Sequence, residues 1–373
     1  MSKKGFLWLA LLVTTLVLGI LIYFFIMSQG DQPPSSSTPL GKPGFNPGEL
    51  KNPCGVALDE GGFIYVADTG NNRVQKFDGK MRLVHMWGEK GTDNGQFDTP
   101  VRLALDSAGN VYVTDSSNNR VQKFSRDGRF LMEIGSLGQE TGYMAQPTGI
   151  FVDRKGNIFI ADTENNRIQK FSPEGQFIFT FGDSGSGAGQ FNSPWDVAVD
   201  SMNNIYVADT MNHRIQKFNQ EGQYIDRWGT EGSGKNQFVK PLALAIDSKD
   251  NLMVVDSGNY RIVKYSCGGK YLLEWGSRGS GAMQFEAPEA VTVDSQGDIY
   301  LADSGNDRIQ KMERFKGFDT LKKGSKGGLF TKPAHSPTEE GPLPEGSSSP
   351  GAPTDFSAPT KPMPTGQQPT EDL

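Results

Sequence analysis

The sequence predicts an all-β fold, a six-bladed β-propeller, and three observations lead to that prediction. The stretch VADTGNNRVQKF at 66–77 returns five more times, and each copy begins 47 residues after the one before it. A proline holds the same phase in every unit: Pro53, Pro100, Pro147, Pro194, Pro241 and Pro288. No helical period occurs within a unit, and a repeat of this length indicates a propeller or a solenoid.

The first unit shows how each blade is built. Residues 55–59 and 63–68 are short apolar runs, residues 73–78 alternate apolar and polar side chains, and residues 82–88 form a less regular run. Turn-forming residues separate the four runs at hairpin spacing. Each unit is therefore predicted to be a four-stranded antiparallel blade, and repeating such units radially leaves only short, protected edges.

The outer strand of the sixth blade is ambiguous in the sequence. Lys322 and Lys323 stand where the preceding unit has Trp275 and Gly276, whereas Leu40 and Gly41 lie 47 residues before Trp87 and Gly88. The strand comes either from residues 317–324 or from residues 37–41, and the pattern does not decide between them.

The repeated unit D-[TS]-x-N-x-R-[IV]-Q-K-F resembles the NHL repeat. An apolar strand that begins after a proline precedes the unit, and Trp-Gly follows it. The resemblance extends from about residue 53 to residue 323. It implies a six-bladed propeller, which agrees with the number of copies.

The flanks of the repeats predict a membrane anchor and two unfolded segments. Lys3 and Lys4 precede residues 6–27, which carry no charge and are long enough to cross a bilayer as a helix. The charge bias places residues 1–5 in the cytoplasm and the propeller, residues 53–324, outside it. A cleaved signal peptide is the alternative. Residues 28–52 and 325–373 are rich in Pro, Ser and Gly, and we expect both to be disordered or extended.

Composition limits the possible functions. The chain has 373 residues and a formal net charge of -6, which disfavours a nucleic-acid partner. Cys54 and Cys267 are too few for a disulfide framework, and propeller geometry should keep them apart. No Cys/His cluster suggests a metal site, and we expect no cofactor.

The polar residues that return in every unit are predicted to be scaffold. An Asp that ends the second strand can accept hydrogen bonds from loop N–H groups, and the Arg five residues later can pair with a carboxylate. Asn71 is expected to adopt the left-handed conformation in this loop. The scaffold pairs are Asp68 and Arg73, Asp115 and Arg120, Asp162 and Arg167, Asp209 and Arg214, Asp256 and Arg261, and Asp303 and Arg308.

Binding residues are sought where the repeat breaks down. The loops between second and third strands, and the crossovers from each outer strand to the next blade, share one face with the mouth of the central channel. We call this the loop face. The candidates for ligand binding there are Arg102, Trp195, Asp196, His213, Tyr260, Glu289 and Asp307. A Trp beside an Asp is typical of a recognition surface.

These residues predict a binding module for a protein, peptide or glycan. No nucleophile with a neighbouring base is apparent, so no catalytic residue is proposed. The alternative is a hydrolase or lyase with a metal held by Asp196, Glu289 and Asp307 alone.

Overall fold

The computed structural model describes residues 32–314 and shows six four-stranded antiparallel sheets arranged as the blades of a propeller. The innermost strands contact one another in cyclic order, and the innermost strand of blade one packs against that of blade six. The predicted all-β, six-bladed fold is confirmed. Within the described range, no helix is long and apolar enough to span a bilayer. Residues 6–27, 317–324 and 325–373 lie outside that range.

The strands of each blade run in order from the channel outward. Blade one contains Gly55–Leu58, Ile64–Asp68, Arg73–Phe77 and Leu83–Trp87. Blade two contains Pro100–Leu105, Val111–Asp115, Arg120–Phe124 and Phe130–Ile134. Blade three contains Pro147–Val152, Ile158–Asp162, Arg167–Phe171 and Phe177–Phe181.

The second half of the ring follows the same plan. Blade four contains Pro194–Val199, Ile205–Asp209, Arg214–Phe218 and Tyr224–Trp228. Blade five contains Pro241–Ile246, Leu252–Asp256, Arg261–Tyr265 and Tyr271–Trp275. Blade six contains Pro288–Val293, Ile299–Asp303, Arg308–Glu313 and, as its outer strand, Ser36–Leu40.

Short elements join the strands on the loop face. Five of the loops between second and third strands contain a single 3₁₀ turn: Thr69–Asn71, Ser116–Asn118, Thr210–Asn212, Ser257–Asn259 and Ser304–Asn306. Two crossovers contain parallel pairs of two-residue strands: Asp183–Ser184 with Gln190–Phe191, and Ser277–Arg278 with Gln284–Phe285.

The hydrophobic core lies between the blades. Each cluster of buried apolar residues combines side chains from two neighbouring sheets; Tyr65 and Val74 of blade one, for example, pack with Val113 and Phe124 of blade two. The second strand of each blade is buried along its whole length, because it is covered on both faces. A strand covered on both faces reads as a continuous apolar run, as the sequence showed.

The N-terminal segment closes the ring. Ser36–Leu40 pairs antiparallel with Arg308–Glu313, and Leu40 lies opposite Ile309. Of the two segments that the sequence left open for this strand, the structure places the N-terminal one there. The first and last parts of the propeller therefore share one sheet.

Part of the segment predicted to be an unfolded linker belongs to the propeller. Between residues 28 and 52, Ser36–Leu40 is a strand and residues 41–50 form the crossover from blade six to blade one, with Pro43 bridged to Leu50. The expectation of a disordered or extended linker does not hold for residues 36–50, because a few apolar side chains suffice to dock this part on the propeller. Leu40 and Leu50 are both buried, and each lies 47 residues before a residue with the same role, Trp87 and Phe97.

Candidate functional site: two faces and a central channel

The repeated Asp, Asn, Arg and Gln side chains form one buried network in blade one. Asp68 Oδ1 accepts the backbone N–H of Lys51 at 2.7 Å, and Oδ2 accepts bonds from Asn71, Arg73 and Gln75 at 2.7–2.9 Å. The Asp is fully buried, and its donors bring the second strand, the loop and the crossover to one point.

The arginine of this network fastens the crossover to the blade. Arg73 Nη2 donates to the carbonyl oxygens of Asn46 and Glu49, both at 2.9 Å. The equivalent Arg–Asp pair occurs in every blade, with Nε to Oδ2 distances of 2.6–2.8 Å. In every blade these Asp and Arg side chains are engaged with each other.

The left-handed residue of the loop is the one after the predicted asparagine. Asn72 has φ 52°, whereas Asn71 lies in the 3₁₀ turn and donates to Asp68 and to the Gly44 carbonyl. The reason is that the Asn71 amide is needed for the buried network, so the next residue makes the reversal.

Blade five departs from the network at one position. Val263 stands where the other blades have Gln, and it is buried. Two residues later in the same strand, Tyr265 replaces the Phe or Met of the other blades, and its hydroxyl is buried without a hydrogen-bond partner among the described residues. Blade five thus has a weaker polar network than its neighbours.

His213 and Asp307, two predicted ligand-binding residues, link adjacent blades. Both residues directly precede the repeated arginine, as Asn72 does in blade one. Asn72 Oδ1 accepts the N–H of Thr99 in the next blade at 2.9 Å. His213 Nδ1 accepts the N–H of Lys240 at 3.2 Å, and Asp307 Oδ1 accepts that of Asn52 at 2.7 Å. The residue type changes but the acceptor remains, so these side chains serve the fold.

Tyr260 stands at the same position without that role. It keeps the left-handed conformation, with φ 56°, but carries no acceptor near its backbone. Its ring lies 5.2 Å from the guanidinium of Arg278, which is exposed and paired with Glu286 at 3.0 Å. Tyr260 is half-buried, so part of its ring faces solvent on the loop face.

Arg102, predicted to bind a ligand at the channel mouth, lies buried across the loop-face end of the channel. It is buried and reaches from blade two to the carbonyl oxygens of Cys54, Leu242 and Glu289, which begin the innermost strands of blades one, five and six. Its Nε lies 3.9 Å from Asp196 Oδ2 in blade four. One long side chain therefore joins five blades at the ring centre.

The acidic groups around Arg102 have little access to water, and Glu289 is the more exposed of them. Asp196 is buried, and its Oδ2 accepts the N–H of Leu244 at 3.0 Å. Burial raises the pKa of Asp196 to about 6, although Arg102 acts in the opposite direction. Burial also raises the pKa of Glu289 and, together with the Glu289 carboxylate, raises that of the Cys54 thiol well above its usual range. Negative charge is disfavoured at this end of the channel.

The geometry does not assemble the carboxylate-metal site considered from the sequence. Asp307 bonds Asn52 at the junction of blades six and one, whereas Asp196 is engaged with Leu244 inside the ring. Among residues 32–314, no group of three or more His, Cys, Asp or Glu side chains is arranged to hold a metal ion. Cys54 and Cys267 are both free thiols.

A central channel of about 630 Å³ lies beneath Arg102. Its walls are the innermost strands of the blades, and Arg102 and Asp196 line one end. The other end is lined by exposed residues of the turns between first and second strands, including Arg154, Lys155 and Ser201. The channel therefore opens on the face opposite the loop face, which we call the turn face.

The loop face exposes apolar side chains where the crossovers break the repeat. Phe45 on the crossover into blade one is 69% exposed, and on the crossover into blade three Leu137 is 70% and Tyr143 46% exposed. Met211, in the 3₁₀ turn of blade four, is also exposed. Trp195 is half-buried at the channel mouth, and its indole N–H has no partner in the described chain.

Tyr143 was missed in the sequence although a signal was present. Four other units have Gln at this position. The side-chain oxygens of Gln96 and Gln190 each accept a backbone N–H of their own crossover, at 3.1 and 2.9 Å. Tyr143 cannot replace that bond and projects into solvent instead. Comparing crossover residues that lie 47 positions apart, and not only the residues at strand ends, would have identified Tyr143.

Known proteins share the repeat and the fold. The family model described as NHL repeat matches residues 50–77, 97–124, 144–171, 191–218 and 285–312. The chain thus carries five recognised NHL repeats in a six-bladed propeller; the corresponding part of blade five, with Val263 and Tyr265, is not among the matched stretches. No curated protein matches the chain significantly.

Several solved structures resemble the propeller at low sequence identity. A streptogramin B lyase is 16% identical with a TM-score of 0.55, covering 74% of this chain and 97% of that one. A Bacteroides thetaiotaomicron protein of unknown function is 16% identical with a TM-score of 0.61, covering 74% and 75%. An inactive Staphylococcus aureus virginiamycin B lyase with quinupristin is 15% identical with a TM-score of 0.53, covering 75% and 89%. These likenesses show the fold alone.

Proposed function

We propose that this NHL-repeat propeller is a binding module that recognises a peptide segment of a partner protein on its loop face. The observation that carries the proposal is the exposure of Phe45, Leu137 and Tyr143 at crossover positions where most other units have polar residues. Leu137 and Tyr143 lie on one crossover, and Phe45 lies on the crossover two blades before it. Exposed apolar residues on a rigid scaffold are typical of interaction surfaces. Aromatic side chains also contribute disproportionately to binding energy.

The chemistry of this surface favours a peptide over a glycan. The rings of Phe45 and Tyr143 can stack on a sugar or on a peptide side chain, whereas Leu137 and Met211 have no ring and suit the apolar side chains of a peptide. Near Tyr260, Arg278 and Glu286 supply charges of both signs, which can fix the register of a partner.

We also propose that the module is held at a membrane with the propeller outside the cytoplasm. The support is the uncharged run at residues 6–27 and the lysines before it. Ser36–Leu40 follows only a short distance along the chain, so an anchor of this kind would hold the propeller close to the bilayer.

To test the peptide-binding proposal, each exposed apolar residue is replaced by the residue at the equivalent position of the crossover into blade two. The triple variant is Phe45→Thr, Leu137→Lys and Tyr143→Gln, after Thr92, Lys90 and Gln96. The probe is a displayed library of random peptides, selected against the full chain. Selected peptides should bind the variant at least about tenfold more weakly, since burying one such aromatic is worth roughly 2 kcal/mol.

The matched control is Met202→Ala. Met202 is 75% exposed but lies in a turn between first and second strands, on the turn face. The selected peptides should bind this variant as they bind the native chain. Selection of no peptide, or equal affinity for the native chain and the triple variant, would refute the proposal.

A further inference from the structure

The central channel has the features of a second binding site, separate from the loop face. It encloses about 630 Å³, opens on the turn face and is closed by Arg102 and Asp196. Volumes of this order are common among small-molecule sites.

At one level of the channel, the wall is formed by aliphatic residues from all six blades. Every blade contributes a branched aliphatic residue from the same position of its innermost strand: Val56, Leu103, Ile150, Val197, Leu244 and Val291. One residue further along, alanine occurs in four blades, with Phe151 and Thr292 in the others. A wall of this kind favours a slender apolar body, because burying apolar surface provides most of the binding free energy.

The closed end offers a buried donor that lacks an acceptor. The Nη groups of Arg102 donate to three backbone carbonyls, but its Nε has no hydrogen-bond acceptor among the described residues, and the nearest carboxylate oxygen, of Asp196, is 3.9 Å away. An unsatisfied buried donor is costly, so a ligand oxygen that accepts this hydrogen bond would stabilise the complex.

The charges at the closed end select the kind of oxygen. Arg102 already faces the carboxylates of Asp196 and Glu289 and is surrounded by carbonyl oxygens, so a ligand carboxylate would add a third negative charge around a single guanidinium. A primary carboxamide matches the groups present, since its carbonyl oxygen can accept from Arg102 Nε and its NH₂ group can donate to the Asp196 carboxylate.

We propose that the channel binds a slender, uncharged aliphatic molecule that ends in a primary carboxamide, with the amide at Arg102 and Asp196. This site does not depend on the peptide-binding function, because its residues and its opening lie on other parts of the ring.

The first test is a calorimetric titration with hexanamide. The full chain is held in lipid nanodiscs, and empty nanodiscs provide the blank. Hexanamide should bind saturably with one site per chain. Hexanoate, which brings a negative charge, and hexylammonium, which has no acceptor, should bind at least about tenfold more weakly. Absence of saturable heat with hexanamide up to about 10 mM, or equal affinity for all three compounds, would overturn the proposal.

Two variants place the ligand within the channel. Ala245→Phe fills it with the side chain that blade three carries at the same position as Phe151, so the fold should accept it. It should abolish hexanamide binding, whereas Met202→Ala on the turn face should not change it.

Arg102→Lys keeps the cation without the Nε donor and should weaken hexanamide binding about tenfold. Unchanged affinity in Ala245→Phe would show that hexanamide binds elsewhere, whether or not the Arg102 variant folds.

Discussion

At the scale of single residues, the buried aspartate explains why four polar side chains recur together in every blade except blade five, where Val263 replaces the glutamine. Asp68 accepts hydrogen bonds from a crossover N–H, an asparagine, an arginine and a glutamine. Each donor satisfies part of a carboxylate that has no access to water. Removing any one of them leaves a buried polar group unpaired, which costs more than the bond itself contributes. The four residues therefore act as one unit of the fold.

Asp196 is a buried carboxylate with fewer partners, and it should make the stability of the chain depend on pH. Burial raises its pKa to about 6 from an ordinary value of 3.8. The folded state then binds more protons than the unfolded state between these values, so stability falls as pH rises through this window. Relative to Asp196→Asn, the native chain should lose about 3 kcal/mol of unfolding free energy between about pH 3 and pH 7.

Urea unfolding of both chains across this pH range measures the effect. The difference between them isolates Asp196, because all other titrating groups are common to both. The amide side chain of the Asp196→Asn variant retains one oxygen able to accept the Leu244 N–H, whereas its NH₂ group cannot accept the Val197 N–H that Asp196 Oδ1 accepts at 3.0 Å. The loss of this second contact does not depend on pH, so the pH dependence still reports on the carboxylate. Curves that stay parallel from acid to neutral pH would show that Asp196 is not shielded as the structure indicates.

At the scale of structural elements, the strands were predictable and one crossover was not. The strands follow from a period of two and from turn residues between them, which local sequence displays directly. The crossover at residues 41–50 holds only a few apolar residues amid Pro and Gly, and composition alone resembles a linker. Its order comes from tertiary contacts: Leu50 enters the core between blades six and one, and Arg73 binds its carbonyls.

The closing strand provides a test at this scale. Leu40 is buried in the cluster between blades six and one, whereas Thr38, in the same strand, is exposed. Leu40→Ala should lower the free energy of unfolding by about 2–5 kcal/mol, as leucine truncations in cores do. Thr38→Ala should change it by less than about 0.5 kcal/mol. Equal, small effects in thermal and urea unfolding would show that the N-terminal strand does not seal the ring.

At the scale of the whole molecule, the sequence predicted the symmetry correctly but did not show where departures from it matter. His213 and Asp307 change the residue type yet keep the hydrogen bond, because only an acceptor is required there. Arg102 breaks the repeat in order to fill the centre, a place that belongs to no single blade. A 47-residue repeat describes one blade and its neighbour, so contacts across the ring do not appear in it.

Arg102 should accordingly be required for the stability of the ring. Arg102→Ala removes a guanidinium that bonds three carbonyls and faces Asp196, and it leaves a buried carboxylate without its counter-charge. We expect a loss of about 3–5 kcal/mol in unfolding free energy. Tyr143→Ala, which alters an exposed residue of the loop face, should change stability by less than about 0.5 kcal/mol.

Thermal and urea unfolding of Arg102→Ala, Tyr143→Ala and the native chain show whether Arg102 stabilises the ring and whether Tyr143 is only a surface residue. The sequence alone placed Arg102 among the ligand-binding residues rather than the scaffold, so the measurement also decides between that expectation and the structure. A melting temperature unchanged in Arg102→Ala would mean that blades one, four, five and six hold their positions without the central side chain. Arg102 would then be free to serve a ligand on the loop face, as the break in the repeat first suggested.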